Sequence, residues 1–195
     1  MSNATTTPAT LAELSGTYTL DPTHTRIGFV ARHAMVTKVR GQFNEFECTA
    51  VVDGTDLTRS TVQLTIQAAS IDTRNEQRDG HLRSNDFLAL EEYPQITFVS
   101  TDVRQTGETD LELTGDLSIR GVTNSITVPF EFQGAATDPF GNLRVGFEGT
   151  TVVNRKDWGV NWNAPLEAGG VLVSEKVTLN IDISAIKQVY QDAQA

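Results

Sequence analysis

Apolar and polar residues alternate strictly along most of this 195-residue chain, most plainly in the segments STVQLTIQAAS (60–70) and KVTLNIDI (176–183). A two-residue period sends successive side chains to opposite faces, so Val62, Leu64, Ile66 and Ala68 turn toward a core while Thr61, Gln63, Thr65 and Gln67 meet water. The pattern belongs to strands, in an antiparallel sheet buried on one face. It returns at Ile96 and Phe98, at Leu111, Leu113, Leu117 and Ile119, at Ile126, Val128, Phe130 and Phe132, and from Val177 to Ile183. Roughly eight to ten strands fit. Turn signals separate them at Ser15-Gly16, Asp53-Gly54, Thr106-Gly107, Arg120-Gly121 and Phe140-Gly141. The reading is an all-β protein, a barrel or a sandwich.

With 38% hydrophobic residues, the chain suits one β domain with a sizeable core. A net charge of −10 and the lack of a basic tract argue against DNA or RNA as a partner. No apolar stretch reaches the ~20 residues that a membrane helix needs. The segment from Met1 to Gly16 has neither a basic start nor an apolar run of signal type, so the cytoplasm is the expected compartment. Residues 1–14 read as a polar tail with a helical turn at Thr10 to Leu14, residues 15–187 as the barrel domain, and 188–195 as a C-terminal tail. Cys48 is the single cysteine, which excludes an intrachain disulfide and a CxxC metal site.

Charge is distributed unevenly. Arg26, Arg32, Lys38 and Arg40 fall with His24 and His33 in a stretch that has no carboxylate between Asp21 and Glu45. Such an island suits an anionic group; the plainer alternative is a set of outward strand residues that offset acidic neighbours. A second departure is the connection 72–94, where the spacing predicts a short helix from Glu76 to about Ser84 in spite of Gly80. This connection either closes an open barrel end, with Leu82, Phe87, Leu88 and Leu90 turned inward, or simply completes the core.

No nucleophile elbow, phosphate-binding loop, dinucleotide fingerprint or H-E-x-x-H pair is present. The spacing of His24, His33 and His81 relative to Asp21 and Asp79 matches no compact metal motif, so hydrogen-bonded structural histidines are expected, with no metal and no cofactor. If buried, Asp79, Asp86, Arg120 and Arg155 would each demand a partner. Trp158 and Trp162 flank Gly159-Val160-Asn161 ahead of the Gly169-Gly170 turn, as cavity lining or as a barrel-end plug.

Several segments, in order, resemble the YceI-like family: DPTHTRIGF (21–29), His33, VRGQF (39–43), RDGHL (78–82), SNDF (84–87), YPQITF (93–98), GDLSIRGVT (115–123) and NRKDWGV (154–160). The resemblance runs from residue 16 to about 187. It implies a lipocalin-like antiparallel β-barrel with a short helix in the 72–94 connection, and a long internal cavity for an isoprenoid, an isoprenoid quinone or another amphiphilic lipid. It also makes a homodimer possible, and many members are exported. The residues expected at the ligand are Phe29, Phe43, Phe98, Phe130 and Phe147 on strands, Leu82 and Phe87 from the connection, and Trp158, Trp162, Arg78 and His81. For an anionic head group, either the Arg26 to Arg40 stretch or Arg74, Arg78 and Arg83 would supply contacts. The expected function is to bind such a lipid for transport, storage or sequestration, without catalysis. The alternatives are a small hydrolase or isomerase using His24 or His81 as a base on an isoprenoid-type substrate, and an interaction module with a collapsed cavity.

Overall fold

The structure, a computed structural model, describes residues 8–189. The ends of the two expected tails, 1–7 and 190–195, lie outside the described residues. Eleven strands and one α-helix follow in the order β1 (Gly16–Leu20), β2 (Arg26–His33), β3 (Thr37–Phe43), β4 (Phe46–Val52), β5 (Thr61–Gln67), β6 (Ile71–Asp72), α1 (Glu76–Arg83), β7 (Gln95–Gln105), β8 (Asp110–Ile119), β9 (Val122–Thr137), β10 (Leu143–Asn154) and β11 (Lys176–Lys187). All neighbours pair antiparallel, and β1 closes the sheet onto β11 to give an eight-stranded barrel β1-β4-β5-β7-β8-β9-β10-β11.

Three of the barrel's staves are broken. Strand β11 pairs with β1 at Leu20 and Ala185 and, further along the same edge, with β2 at Ile27 and Ile181, so β1 and β2 are two lengths of one interrupted strand. Strands β3 and β4 form the second, and β5 and β6 the third. The break at 21–25 is stitched to β11 by Asp21 N–H and Thr25 Oγ1, both donating to the Ser184 carbonyl. Beyond these breaks, β6 pairs only with β3, and α1 follows at the place where the ring stays open. The helix begins where the Asn75 side chain accepts the Arg78 N–H and ends at Arg83, with Ser84 as its C-cap, within a residue of the boundary read from sequence.

The two ends of the barrel are filled differently. At the β1 end a packed cluster joins Leu11, Leu14, Tyr18, Val128, Phe130, Phe132, Val145 and Ala185. Residues 10–14, which composition assigns to a polar tail, form a single 3-10 turn whose Leu11 is only 1% exposed. The turn is held by Glu13, which accepts N–H bonds from Ala9 and Thr10, and by the Tyr18 hydroxyl donating to the Leu14 carbonyl. Gly54 lets it approach, because a Cβ there would stand 2.4 Å from the Ala12 oxygen. At the other end, Ile27, Ile66, Phe98, Leu117 and Trp158 pack with Phe87 from the segment after α1.

Candidate ligand-binding site

Between these clusters lies an elongated cavity of about 260 Å³, running from Leu20, Val128 and Ile183 at its floor to Phe87, Val160 and Val173 at the helix end. Inward positions of β2, β5, β7, β8, β9 and β11 supply most of the wall, as the alternation requires. Its shape depends on three pairings of phenylalanine with glycine. A Cβ at Gly41 would lie 2.3 Å from the Phe29 ring, one at Gly115 2.4 Å from Phe98, and one at Gly149 2.5 Å from Phe130. Each ring therefore lies over a bare stretch of neighbouring backbone and leaves the lumen open.

Of the residues expected at the ligand, Phe29, Phe43, Leu82, Phe87, Phe98, Phe130 and Trp158 line this cavity. Four do not. Phe147 packs on Phe132, with ring centres 5.3 Å apart, in the closed end, because it follows a bulge in the β9–β10 pairing. Trp162 and His81 stack outside Phe87: the imidazole is 4.7 Å from the indole and 5.0 Å from the Phe87 ring, with Nε2 2.8 Å from an Asp86 oxygen. Arg78 is spent on the helix entry. It donates to the Thr73 hydroxyl and carbonyl, and that hydroxyl donates to buried Asp79. Arg83 likewise donates to the Ala69 and Ile71 carbonyls. None of Arg26, Arg32, Lys38, Arg40, Arg74, Arg78 or Arg83 reaches the lumen.

Among the described residues, Arg155 is the one charged residue that lines the cavity, and its nitrogens show the lumen almost no surface. After β10, Asn154 accepts the Lys156 N–H and starts a 3-10 turn, Arg155–Trp158. Three residues per turn place Arg155 and Trp158 on the same side, and both are buried. Arg155 is 7% exposed as a residue, and its guanidinium donates to the carbonyls of Val160, Ser174 and, at a longer 3.4 Å, Val173. It has no carboxylate within ion-pair distance among the described residues, since nearby Glu175 is paired with Lys156 at 2.6 Å. Burial pushes its pKa down, against a smaller opposing pull from Glu175, and its carbon centre stands 6.0 Å from the Phe87 ring centre. Trp158 satisfies its own indole N–H on the Leu117 carbonyl. Cys48 also faces the lumen, where burial pushes its thiol up to about 11.

The other two histidine expectations meet ordinary surroundings. His24 Nδ1 is 2.7 Å from Asp21 at the closed end, and His33 lies at the tip of the β2–β3 hairpin. Among the described residues, no cluster of three or more His, Cys, Asp or Glu side chains is placed to hold a metal, and no helix is long and apolar enough to cross a membrane.

The model of the YceI-like domain matches residues 18–185. The chain belongs to the YceI-like family. Relatives within it include a UPF0312 protein of Staphylococcus aureus, 37% identical over 161 residues, which are 82% of this chain and 91% of that one. A Staphylococcus epidermidis UPF0312 protein is 38% identical over the same shares. Among solved structures, the YceI-like barrel resembles Burkholderia cenocepacia BcnA, with a TM-score of 0.74, 22% identity and coverage of 85% of this chain and 98% of that one. It also resembles a Saccharophagus degradans structure described as a polyisoprenoid binding domain, with a TM-score of 0.66, 17% identity and coverage of 88% and 98%. These two likenesses concern the fold of this YceI-like chain.

Proposed function

We propose that this protein binds a long-chain amphiphilic lipid of isoprenoid type, tail in the barrel and polar head at Arg155, and carries or sequesters it. One observation carries the reading: a preformed lumen with an almost wholly apolar wall, against which the buried Arg155 is packed. Burying a CH₂ contributes ~0.8 kcal/mol, so about ten buried carbons supply roughly 8 kcal/mol, the scale of micromolar affinity before ordering costs are subtracted. An oxygen-rich head group offers the guanidinium the negative partner that the wall lacks. The description of the Saccharophagus neighbour as a polyisoprenoid binding domain supports the same ligand class. Acid/base turnover receives no such support, because no imidazole, carboxylate or hydroxyl of the described residues lines the lumen.

Native mass spectrometry after gentle purification tests the proposal. A retained mass that fragments as a prenyl chain is the expected result. An empty barrel that also refuses added prenyl alcohol and prenyl phosphate rejects it.

A further inference from the structure

The tip of the β2–β3 hairpin combines several locally unfavourable choices. Three residues, Ala34 to Val36, connect the paired His33 and Thr37, with Val36 N–H bonded to the His33 carbonyl and φ of +50° at Ala34 and +65° at Met35. The β8–β9 hairpin also uses two consecutive left-handed residues, Arg120 and Gly121 at φ of +51° and +73°, but it closes directly from Ile119 to Val122 and has glycine at the second position. Left-handed backbone is unfavourable for any residue with a Cβ, and such turns favour Asn-Gly or Asp-Gly. The β2–β3 turn has no glycine, and it holds Met35 56% and Val36 74% exposed. Directly below, Arg32 and Lys38 face each other across the outer side of the hairpin, a like-charge pairing that sheets disfavour.

More cations surround the tip. Lys38, Arg40 and Arg78 line one shallow groove with His33, between β3 and the start of α1. Neither Arg32, Lys38, Arg40 nor Arg78 has an ion-pair partner among the described residues. The carboxylates that share a groove with any of them, Glu131, Glu148 and Asp182, stand around Arg40 and Arg26 on the barrel wall, away from the tip. This is a basic patch with two apolar side chains at its summit, on a chain of net charge −10.

The hairpin also belongs to the open end of the barrel. Ala31 lines the lumen, and His33 bridges to Val173, another lumen residue. We infer that the β2–β3 tip docks on an anionic lipid bilayer, with Met35 and Val36 entering the interface and Arg32 and Lys38 meeting lipid phosphates. The tip's costs then have one common resolution: apolar side chains leave water, and the unpaired cations gain counter-charges. The inference builds on the lipid-binding reading, since docking brings the open end of the barrel to the phase in which an isoprenoid dissolves.

Sedimentation with vesicles of phosphatidylcholine, alone or with phosphatidylglycerol added, tests it on the full chain. Wild type should pellet with the mixed vesicles, release with salt, and pellet far less with phosphatidylcholine alone. Each cation near an anionic leaflet multiplies partitioning by about fivefold, so Arg32→Gln with Lys38→Gln should weaken binding about 25-fold. Met35→Asn with Val36→Ser should weaken it about tenfold, while melting no lower than wild type, because asparagine tolerates the left-handed turn. Equal partitioning to both vesicle types, or variants that bind like wild type, overturns the inference. So does a tip that captures a protein while ignoring vesicles. Protein that keeps its internal lipid but binds no vesicle sinks the docking alone; protein that pellets but holds no internal lipid sinks the reading of the lumen alone.

Discussion

The barrel's two ends use the same alternating strands to opposite effect. At the β1 end the inward residues meet a chain segment, Leu11 to Leu14, and pack solid. Beyond that plug, three phenylalanines, with Phe130 at the plug's edge, are drawn back over glycines, and the space between them stays open. Whether a β-barrel becomes a core or a container therefore depends on a few residues at its ends and on where its glycines stand. Packed and hollow regions should also respond differently to the same substitution.

The largest contrast is expected between Leu11→Ala and Leu179→Ala. The first leaves a void inside a close-packed cluster and should cost about 3 kcal/mol. The second trims a side chain that already borders the lumen, and only the transfer part of that cost remains, about 1 kcal/mol. Denaturant unfolding of both variants measures the difference, and equal losses would mean that the lumen is packed as tightly as the plug. Next is Arg155→Gln, which should weaken binding of a prenyl phosphate by roughly 30-fold, the worth of one charge-assisted hydrogen bond at about 2 kcal/mol. The matching alcohol should lose much less, and a titration with each ligand checks this. Equal losses would assign Arg155 to holding the 160–174 loop alone. Gly149→Ala should force the Phe130 ring off the wall, lowering stability by about 1–2 kcal/mol and reducing the chain length of prenyl alcohol that is retained. A variant that binds the same range of lengths would show that the ring-over-glycine stacking does not set the lumen.

The smallest effect concerns pH, and it belongs to the closed end. The hydrogen bond with His24, then Arg144 and the Thr23 N–H, hold the Asp21 carboxyl down to about 2 against the opposing effect of burial. Asn142, with Arg144 and the Phe140 N–H, holds Asp138 lower still. Arg144 thereby ties the β9–β10 hairpin, whose Phe140 is 88% exposed, to the break between β1 and β2. Both carboxyls bind protons more weakly folded than unfolded. Their stabilisation is complete above the unfolded value of about 3.9 and is lost as the pH falls toward about 2. Melting curves across that window should show a steeper loss in wild type than in Arg144→Gln. Superimposable slopes would remove this brace from the account.

The strands and the single helix were legible in sequence because periodicity is local: the boundary expected near Ser84 falls at Arg83. Inward-facing phenylalanines were legible for the same reason. Depth along the barrel was not, since it depends on register between distant strands, and so Phe147 reads like Phe98 yet belongs to the plug. The polar composition of residues 1–14 hid Leu11 and Leu14, whose burial comes from contacts with the far end of the chain. From sequence, Arg155 reads as a residue that needs a partner if buried, and that demand alone ties it to no lumen. The local signal was available in an asparagine cap followed by arginine and tryptophan three residues apart. Arg74, Arg78 and Arg83 cluster in sequence, whereas Arg155, the arginine that lines the lumen, stands alone among apolar neighbours.

One consequence concerns the single sulfur. Because Cys48 faces the lumen with its thiol pushed up to about 11, almost none of it is thiolate at neutral pH. A small uncharged alkylating reagent must therefore wait both for ionisation and for room. Ionisation is fixed by the buffer, so at constant pH the labelling half-life becomes a clock for occupancy: a tenant in the barrel stops it, and each departure lets it run.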